Sequence, residues 1–208
     1  PNTYMVTNYP LTDSEIWNVD STYHAESDYV AFAGQVSETY RIPFITDAIQ
    51  DIPDIKFKFC GPLRKSDDLE KIKAVDANGI AEYLGKLPFM NLPEFLRNSR
   101  LAFVLSTYSF NTAGHYGTLG NNKLFEAMLC GIPVICTDYE LWTQIIDKHK
   151  CGICVDSYNK EELKNAVAYI LEHPDEAREM GERGRQAVLH EYNWQNQEKK
   201  LLECYRKL

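Results

Sequence analysis

The sequence has few basic residues and no set of side chains spaced to hold a metal. Lys and Arg number 22 against 30 Asp and Glu in 208 residues, which gives a formal net charge of -8. A chain this acidic offers nucleic acid no general electrostatic footprint, although a local basic pocket can still hold one small anion. The 5 histidines are scattered without the spacing of metal ligands. We therefore predict neither a nucleic-acid partner nor a protein-held metal.

Long hydrophobic runs are also absent. The longest, residues 127–136, is interrupted by Gly131 and Pro133, well short of the roughly 20 apolar residues that span a bilayer. No secretory signal is recognisable, and the first residues read as the interior of a longer polypeptide. The 6 cysteines are irregularly spaced, and most lie in or beside apolar runs. We expect a cytoplasmic protein with reduced core thiols instead of a disulfide framework.

Short apolar runs alternate with longer amphipathic segments after residue 28. The strand-like runs cover residues 29–33, 55–60, 81–84, 101–105, 133–137 and 152–155. The helix-like segments cover residues 43–51, 67–77, 92–98, 123–130, 140–148 and 160–172, followed by a helical tail. This alternation is typical of a parallel sheet covered on both faces. The sequence predicts an α/β fold, a Rossmann-like, doubly wound, six-stranded parallel sheet with C-terminal helices.

The same pattern suggests three segments. Residues 1–28 are polar and poorly periodic, as in an interdomain linker or N-terminal extension. Residues 29–190 form the predicted Rossmann-like domain, and residues 191–208 form a last helix with an apolar side.

Ligands of a doubly wound sheet bind at the carboxyl ends of the strands, where the strand order reverses. For the commonest order those ends carry the loops after the first and fourth strands, here residues 34–41 and 106–122. In the first loop, Gly34 would let an anion approach the backbone, and Arg41 could contact phosphate oxygens through two N–H groups. The alternative interpretation is an ordinary turn followed by a solvated arginine.

The second loop is long, contains three glycines and opens directly into a helix. Lys123 and Glu126 are three residues apart, so they share a face of the first helical turn, where free N–H groups favour an anion. Glu126 is then placed to accept hydrogen bonds from a diol such as a ribose. The alternative is that Glu126 pairs with Lys123 at the surface. His115 in this loop is either a substrate contact or an ordinary loop histidine.

Cys151 and Cys154 have the spacing of a redox dithiol. The motif runs into the predicted sixth strand, so the helix N-terminus that stabilises a thiolate in such motifs is absent. We predict no redox role for this Cys-x-x-Cys motif.

Residues 122–135, NKLFEAMLCGIPVI, resemble the signature of the group-1 (family 4) glycosyltransferases, which are retaining enzymes with the two-domain GT-B fold. Weaker resemblances follow in the family's order over nearly the whole chain. They lie at residues 8–10, 29–34 with Arg41, 57–62, 83–88, 91–105, 151–156, 180–185 and 192–208.

The resemblance implies that this chain is the donor-binding, C-terminal half of such an enzyme. The family's N-terminal, acceptor-binding Rossmann domain would lie outside this chain, and the helix of residues 191–208 would pack toward it. The implied reaction moves a sugar from a nucleotide diphosphate-sugar to a glycan or lipid-linked acceptor with retention, and needs no metal or other cofactor. The chain alone is expected to be inactive. A lipid-linked acceptor would bring the full enzyme to the inner membrane face.

The resemblance also implies roles for particular residues, although it identifies no catalytic one. The diphosphate would be held by Gly34, Arg41, Asn122 and Lys123, the ribose by Glu126, the base by the backbone near Gly61, Gly85 and Leu87, and the sugar by His115, Gly117 and Thr118. Cleavage of the glycosyl–phosphate bond leaves negative charge on the diphosphate. Two cations and a helix N-terminus would stabilise that charge without a metal.

The chain departs from the family pattern at three positions. The family often has two glutamates in an E-x7-E spacing; Glu126 is the second, and Thr118 stands where the first would be. Gln35 replaces a frequent arginine, and Asn121 replaces a frequent proline. Two alternatives therefore stay open. One is a nucleotide-sugar-binding subunit without catalysis, and the other is a nucleotide-sugar 2-epimerase-like enzyme, which Thr118 disfavours because that chemistry needs carboxylates beside the sugar.

Overall fold

The structure is a computed structural model that describes residues 5–17 and 23–207. Six strands form one sheet: β1 (Tyr29–Ala33), β2 (Lys56–Cys60), β3 (Ala81–Tyr83), β4 (Ala102–Val104), β5 (Val134–Thr137) and β6 (Gly152–Val155). All neighbouring strands pair in parallel, in the order β3-β2-β1-β4-β5-β6. The predicted doubly wound, Rossmann-like sheet is confirmed, and its strand order reverses between β1 and β4.

Helices cover both faces of this sheet. They are α1 (Ile42–Ile49), α2 (Asp68–Val75), α3 (Leu92–Arg97), α4 (Asn122–Leu129), α5 (Glu140–His149), α6 (Lys160–Glu172), α7 (Pro174–His190) and α8 (Trp194–Arg206). Helices α3, α4, α5 and α7 pack on one face, and α1, α2 and α6 pack on the other. Because side chains alternate along a strand, Val30 and Phe32 join one core and Ala31 joins the other.

The apolar runs predicted the strands well but overestimated some of their lengths. The structure limits β4 to Ala102–Val104, although Leu101 and Leu105 on either side are almost fully buried. The length of an apolar run therefore indicates how many residues are buried, whereas the strand itself ends where backbone hydrogen bonding to the neighbouring strand ends. Helix α2 ends at Val75 because the Asp76 carboxylate accepts hydrogen bonds from the backbone of the following strand segment.

The described part of the segment before β1 is packed against the domain. Tyr9 and Trp17 are buried in the core, and the Tyr9 ring lies 4.6 Å from that of Phe125. The backbone N–H of Trp194, the first residue of α8, donates to the Pro10 carbonyl at 2.8 Å. Residues 1–4, 18–22 and 208 of the predicted terminal segments lie outside the described residues. That α8 faces a further domain stays a prediction.

None of the helices in the described ranges is long and apolar enough to cross a membrane. All six cysteines are free thiols. Cys60, Cys130, Cys136 and Cys151 are buried, and Cys154 and Cys204 are partly exposed.

Candidate functional site

A cavity of about 620 Å³ lies at the carboxyl ends of β1 and β4, where the strand order reverses. Its volume falls in the range of small-molecule sites, roughly 300–1,000 Å³. Its lining comes from the loop after β1, the loop after β4 and the first turn of α4. Most of the loop residues are small and neutral: Ser106, Thr107, Ser109, Asn111, Thr112, Thr118, Gly120 and Asn121. Among the described lining residues, Lys123 and Glu126 carry the charge.

The first turn of α4 places Lys123 in this cavity. The Asn121 side chain caps the helix by accepting a hydrogen bond from the Lys123 backbone N–H at 3.2 Å. The Lys123 ammonium lies 4.4 Å from the centroid of the Tyr40 ring, a cation–π distance. The lysine side chain passes directly over Gly34, because a Cβ at that position would lie 2.1 Å from Lys123 Cε. Glycine at position 34 therefore makes room for the cation.

Glu126 projects into the same cavity from one turn further along α4. Burial raises the pKa of its carboxyl group, and the nearby Lys123 only partly opposes that shift. In the part of the chain that the structure describes, neither Lys123 nor Glu126 forms an ion pair. The sequence alternative, a surface pair between the two, is not what the structure shows. Both charges are free to meet a ligand.

Three glycines lie side by side where β1, β2 and β3 end. Gly61 has φ +132°, and a Cβ there would lie 1.8 Å from the carbonyl oxygen of Gly34. The Gly61 N–H donates to the Gly85 carbonyl at 2.8 Å. Gly61 thus lets adjacent loops approach each other, whereas a Cβ at Gly85, which has φ +73°, would meet open space. Neither glycine, both expected beside the base, lines the cavity. Leu87 does not line it either and packs, half-buried, against the core.

Arg41 lies outside the cavity. It adopts a left-handed backbone conformation with φ +60°, and its Nε donates to the Ser157 carbonyl at 2.8 Å. The guanidinium carbon lies 4.3 Å from the Phe44 ring centroid and 4.6 Å from that of Tyr158. Burial lowers the pKa of this guanidinium, against the opposite effect of neighbouring Tyr158 and acidic groups. Arg41 and Lys123 therefore do not line the same cavity.

Of the three residues predicted to contact the sugar, the structure brings Thr118 to the cavity. The Thr118 carbonyl accepts a hydrogen bond from the indole N–H of Trp142 at 2.8 Å. Gly117 has φ +87° and packs against Tyr139, where a Cβ would come within 2.5 Å of the tyrosine Cβ. His115 is exposed and stacks on the Tyr108 ring at 3.7 Å, outside the cavity.

The loop after β4 is anchored by a tyrosine that the sequence reading missed. The Tyr108 hydroxyl donates to Asp138 at 2.6 Å and contacts Asp156 at 3.2 Å. Burial and these two carboxylates raise the pKa of Tyr108. Asp138 and Asp156 directly follow β5 and β6, so the position of two aspartates at adjacent strand ends was the available signal. This contact fixes the loop that forms much of the cavity wall.

A second hollow, of about 440 Å³, adjoins the cavity and shares Asn122 and Glu126 with it. Aromatic side chains form much of its wall: Tyr9, Trp17, Phe89 and Trp194. Phe89 is 52% exposed, and its ring meets the buried Trp17 ring edge to face at 6.0 Å. The buried Asn122 Oδ1 has no hydrogen-bond partner in the described structure. The predicted base-contacting segment, residues 85–87, lies just before Phe89.

The sequence model of the family described as "Glycosyl transferases group 1" matches residues 13–187. That match covers most of the chain and includes every residue of the cavity. The chain belongs to the group 1 glycosyl transferases.

Curated relatives agree with this family. The chain is 25% identical over 187 residues to an alpha-maltose-1-phosphate synthase of Mycolicibacterium smegmatis, with 86% of this chain and 48% of the relative covered. It is also 25% identical over 155 residues to a D-inositol 3-phosphate glycosyltransferase of Paenarthrobacter aurescens, with 74% and 36% covered. The chain therefore spans about half or less of the length of these glycosyltransferases.

Solved structures show the same fold. A sucrose-phosphate synthase from Thermosynechococcus elongatus superimposes with a TM-score of 0.73 at 22% identity, covering 96% of this chain and 49% of that one. Anabaena HepE, solved in complex with UDP and glucose, gives a TM-score of 0.71 at 16% identity, with 88% and 49% covered. The C-terminal domain of LpcC, a group 1 family protein of Francisella tularensis, gives 0.62 at 18% identity, with 89% and 95% covered. The expected Rossmann-like half of a GT-B fold is confirmed.

Proposed function

We propose that this chain is the donor half of a glycosyltransferase and binds a nucleotide diphosphate-sugar in the cavity between β1 and β4. The observation that carries the proposal is the first turn of α4, where Lys123 and Glu126 face the cavity without pairing to each other. The related fold of HepE, solved with UDP and glucose, supports a nucleotide-sugar as the ligand.

In this proposal the diphosphate lies against Lys123 and the free N–H groups at the start of α4. These groups offer positive charge where cleavage of the glycosyl–phosphate bond leaves a negative diphosphate. Gly34 lies beneath the Lys123 side chain, because it has no Cβ to exclude that chain from this position. Asn122 borders both the cavity and the hollow, so it contacts the junction of diphosphate and nucleoside. Arg41 does not line the cavity and its Nε donates to the Ser157 carbonyl, so we assign the diphosphate contact to Lys123, and the contact expected of Arg41 stays a prediction.

The nucleoside then extends from the cavity toward the aromatic hollow. Glu126 borders both spaces, so its carboxylate accepts hydrogen bonds from the ribose hydroxyls between them. The half-exposed face of Phe89 offers a stacking surface for the base beyond the ribose. The order Lys123, Glu126, Phe89 thus matches the order diphosphate, ribose, base.

The neutral part of the cavity is left for the donor sugar. Its hydroxyl and amide side chains, including Ser109, Asn111 and Thr118, suit the hydroxyl groups of a hexose. The acceptor, a glycan or a lipid-linked sugar, would be bound by a further domain, and transfer would proceed with retention. In this proposal the reaction needs no metal. The 208-residue chain alone is therefore expected to turn over no nucleotide-sugar.

Calorimetric titration with UDP, GDP, ADP and CDP tests this proposal. We expect saturable binding of one diphosphate, weakened at least about tenfold, or about 1.4 kcal/mol, by Lys123→Ala and by Glu126→Ala. Lys73→Ala is the matched control, because Lys73 is exposed on α2 and does not line the cavity. Thermal melts establish that each variant is folded. A folded chain that binds none of the four, or binds one equally well without Lys123, would contradict the donor site.

A further inference from the structure

Two cysteines meet on neighbouring strands of the sheet. Cys136 on β5 and Cys154 on β6 are partners in the parallel register, and their sulfur atoms lie 3.6 Å apart. Cys136 is fully buried, whereas Cys154 is partly exposed. No other thiol–thiol contact of this kind occurs among the residues that the structure describes. Cys154 therefore pairs with Cys136, although the sequence pattern had associated it with Cys151.

The backbone geometry allows these two sulfurs to bond. Neighbouring strands lie about 4.8 Å apart, and disulfides join residues whose Cα atoms are roughly 4.4–6.8 Å apart. Closing the contact to a bond of about 2.05 Å requires the two side chains to rotate toward each other without a change of register.

The environment distinguishes Cys154 from the other cysteines of the sheet. With Cys136 as hydrogen-bond donor, the thiol–thiol contact lowers the pKa of Cys154 despite its burial. Burial instead raises the pKa of Cys60, Cys130 and Cys151 to about 12. Cys154 thus differs from these three thiols in the direction of its pKa shift, and its side chain is partly exposed, whereas theirs are buried.

We propose that Cys136 and Cys154 form an oxidisable thiol pair that a peroxide converts to an intramolecular disulfide. The Cys154 thiolate attacks one oxygen of hydrogen peroxide, the O–O bond breaks, and the departing hydroxide takes up the thiol proton as water. The Cys136 sulfur then attacks the Cys154 sulfenic acid, the S–O bond breaks, and the departing hydroxide leaves as water with the Cys136 proton. Two thiols lose one electron each, and one peroxide becomes two waters.

The pair is connected to the wall of the cavity. Two residues beyond Cys136 and Cys154 stand Asp138 and Asp156, whose carboxylates hold the Tyr108 hydroxyl. The loop that Tyr108 anchors supplies the neutral lining residues of the cavity. A covalent bond between the two cysteines restrains the relative motion of the two strand ends that carry the aspartates. We therefore expect oxidation to alter the dynamics of residues 106–122.

The test is to treat the chain with hydrogen peroxide and map its peptides without reduction. We expect a peptide joining Cys136 to Cys154, lighter by two hydrogen atoms and restored by dithiothreitol. Cys154→Ser should abolish this peptide, and Cys136→Ala should do so as an independent variant at the buried position. Cys151→Ala should retain it. Thermal melts before oxidation establish that every variant is folded.

Hydrogen exchange of the reduced and oxidised chain then tests the connection to the loop. We expect amide exchange in residues 106–122 to change on oxidation in the unsubstituted chain but not in Cys154→Ser. This readout uses no nucleotide, so its result is independent of whether the donor site exists. A cross-link from Cys151 to Cys154, oxidation of Cys154 to the sulfinic acid without a cross-link, or unchanged exchange in the loop would overturn the proposal.

Discussion

The loops after β1 and β4 meet at the same cavity, yet they contribute to it in different ways. The loop after β1 lines the cavity with Gly34, Thr39 and Tyr40, while its cation, Arg41, is held on the Ser157 carbonyl. The loop after β4 leads directly into α4, which delivers Lys123 and Glu126.

The difference shows how space and charge are divided at this site. The side of β1 provides room, because Gly34 and Gly61 allow backbone and a lysine side chain to pass within contact distance. The side of β4 provides charge, because a helix begins there and its first turn faces the cavity. A cation near the correct strand end therefore does not necessarily line the cavity. The local backbone must also direct it inward.

The largest effect should come from closing the space on the β1 side. Gly61→Ala would place a Cβ 1.8 Å from the Gly34 carbonyl oxygen at a φ of +132°. We expect a loss of unfolding free energy of about 3 kcal/mol or more, since neither backbone segment can yield cheaply. Urea titration measures it. Gly120→Ala is the control, because the nearest atom to its Cβ would be Thr118 Oγ1 at 3.5 Å. Equal stability of the two variants would mean that the loops are not closely packed.

The next largest effect should be on diphosphate affinity, and it should differ between Lys123 and Arg41. Lys123→Met keeps an unbranched side chain of nearly the same length but removes the ammonium group, and with it the cation–π contact with Tyr40. We expect diphosphate affinity to fall about 10- to 100-fold, the equivalent of about 1.5–3 kcal/mol for a charge-assisted hydrogen bond. Arg41→Met should change it less than about threefold. Calorimetry decides the comparison. If Arg41→Met weakened binding as much as Lys123→Met, the guanidinium would have to leave the Ser157 carbonyl when ligand binds.

A smaller loss of unfolding free energy should follow when the contact that anchors the loop after β4 is removed. Tyr108→Phe removes the hydroxyl that donates to Asp138 and leaves Asp138 and Asp156 without their shared donor. We expect unfolding free energy to fall by about 1–2 kcal/mol. Tyr116→Phe is the matched control, because Tyr116 lies in the same loop and is 51% exposed. The loop would be anchored elsewhere if both variants melted alike.

The smallest effect concerns the charge of Glu126. Glu126→Gln keeps neutral hydrogen bonds to the ribose but loses their charge-assisted part, so affinity at neutral pH should fall about fivefold, or about 1 kcal/mol. Ligand hydroxyls bind the ionised carboxylate, so affinity of the unsubstituted chain should decrease as pH falls through the raised pKa of Glu126. Titration of the diphosphate affects both proteins equally, so it cancels when the binding free energy of Glu126→Gln is subtracted from that of the unsubstituted chain at each pH. A difference that is constant with pH would argue against contact with Glu126.

The stability of the chain without ligand should depend on the ionisation of Glu126 in the opposite direction to ligand affinity. Because its pKa is raised in the folded chain, the folded state binds more protons than the unfolded state between the two pKa values, and stability falls as pH rises through that interval. Glu126→Gln should therefore melt higher than the unsubstituted chain at neutral pH. The advantage should disappear in acid, where Glu126 is protonated in both states. Melting curves over this pH range measure it.

Much of the fold was predictable because local sequence carries the information for it. Apolar runs separated by amphipathic segments indicated every strand and the parallel, doubly wound sheet. Strand limits were less predictable, as Leu101 and Leu105 show, since burial extends beyond ladder pairing. In the site, Lys123 and Glu126 were predictable because helical spacing alone puts them on one face.

Other residues required the three-dimensional arrangement. Arg41 has the right position in sequence, but its direction depends on contacts with Phe44 and Ser157 that no spacing reveals. Tyr108 becomes an anchor through two aspartates that follow β5 and β6. Phe89 and Trp17 form one hollow from segments more than 70 residues apart in the chain.

The sequence by itself determined the alternation of strands and helices, the family, and the charged first turn of α4. These properties depend on periodicity, on a contiguous motif and on residues within one helical turn. Tertiary structure alone decided that Arg41 lies outside the cavity and contacts the Ser157 carbonyl. It also decided that Tyr108 holds the loop after β4, and that Cys154 contacts Cys136 instead of Cys151. The physical reason is that such contacts join strands and loops distant in sequence, and only the register of the packed sheet specifies which side chains become neighbours.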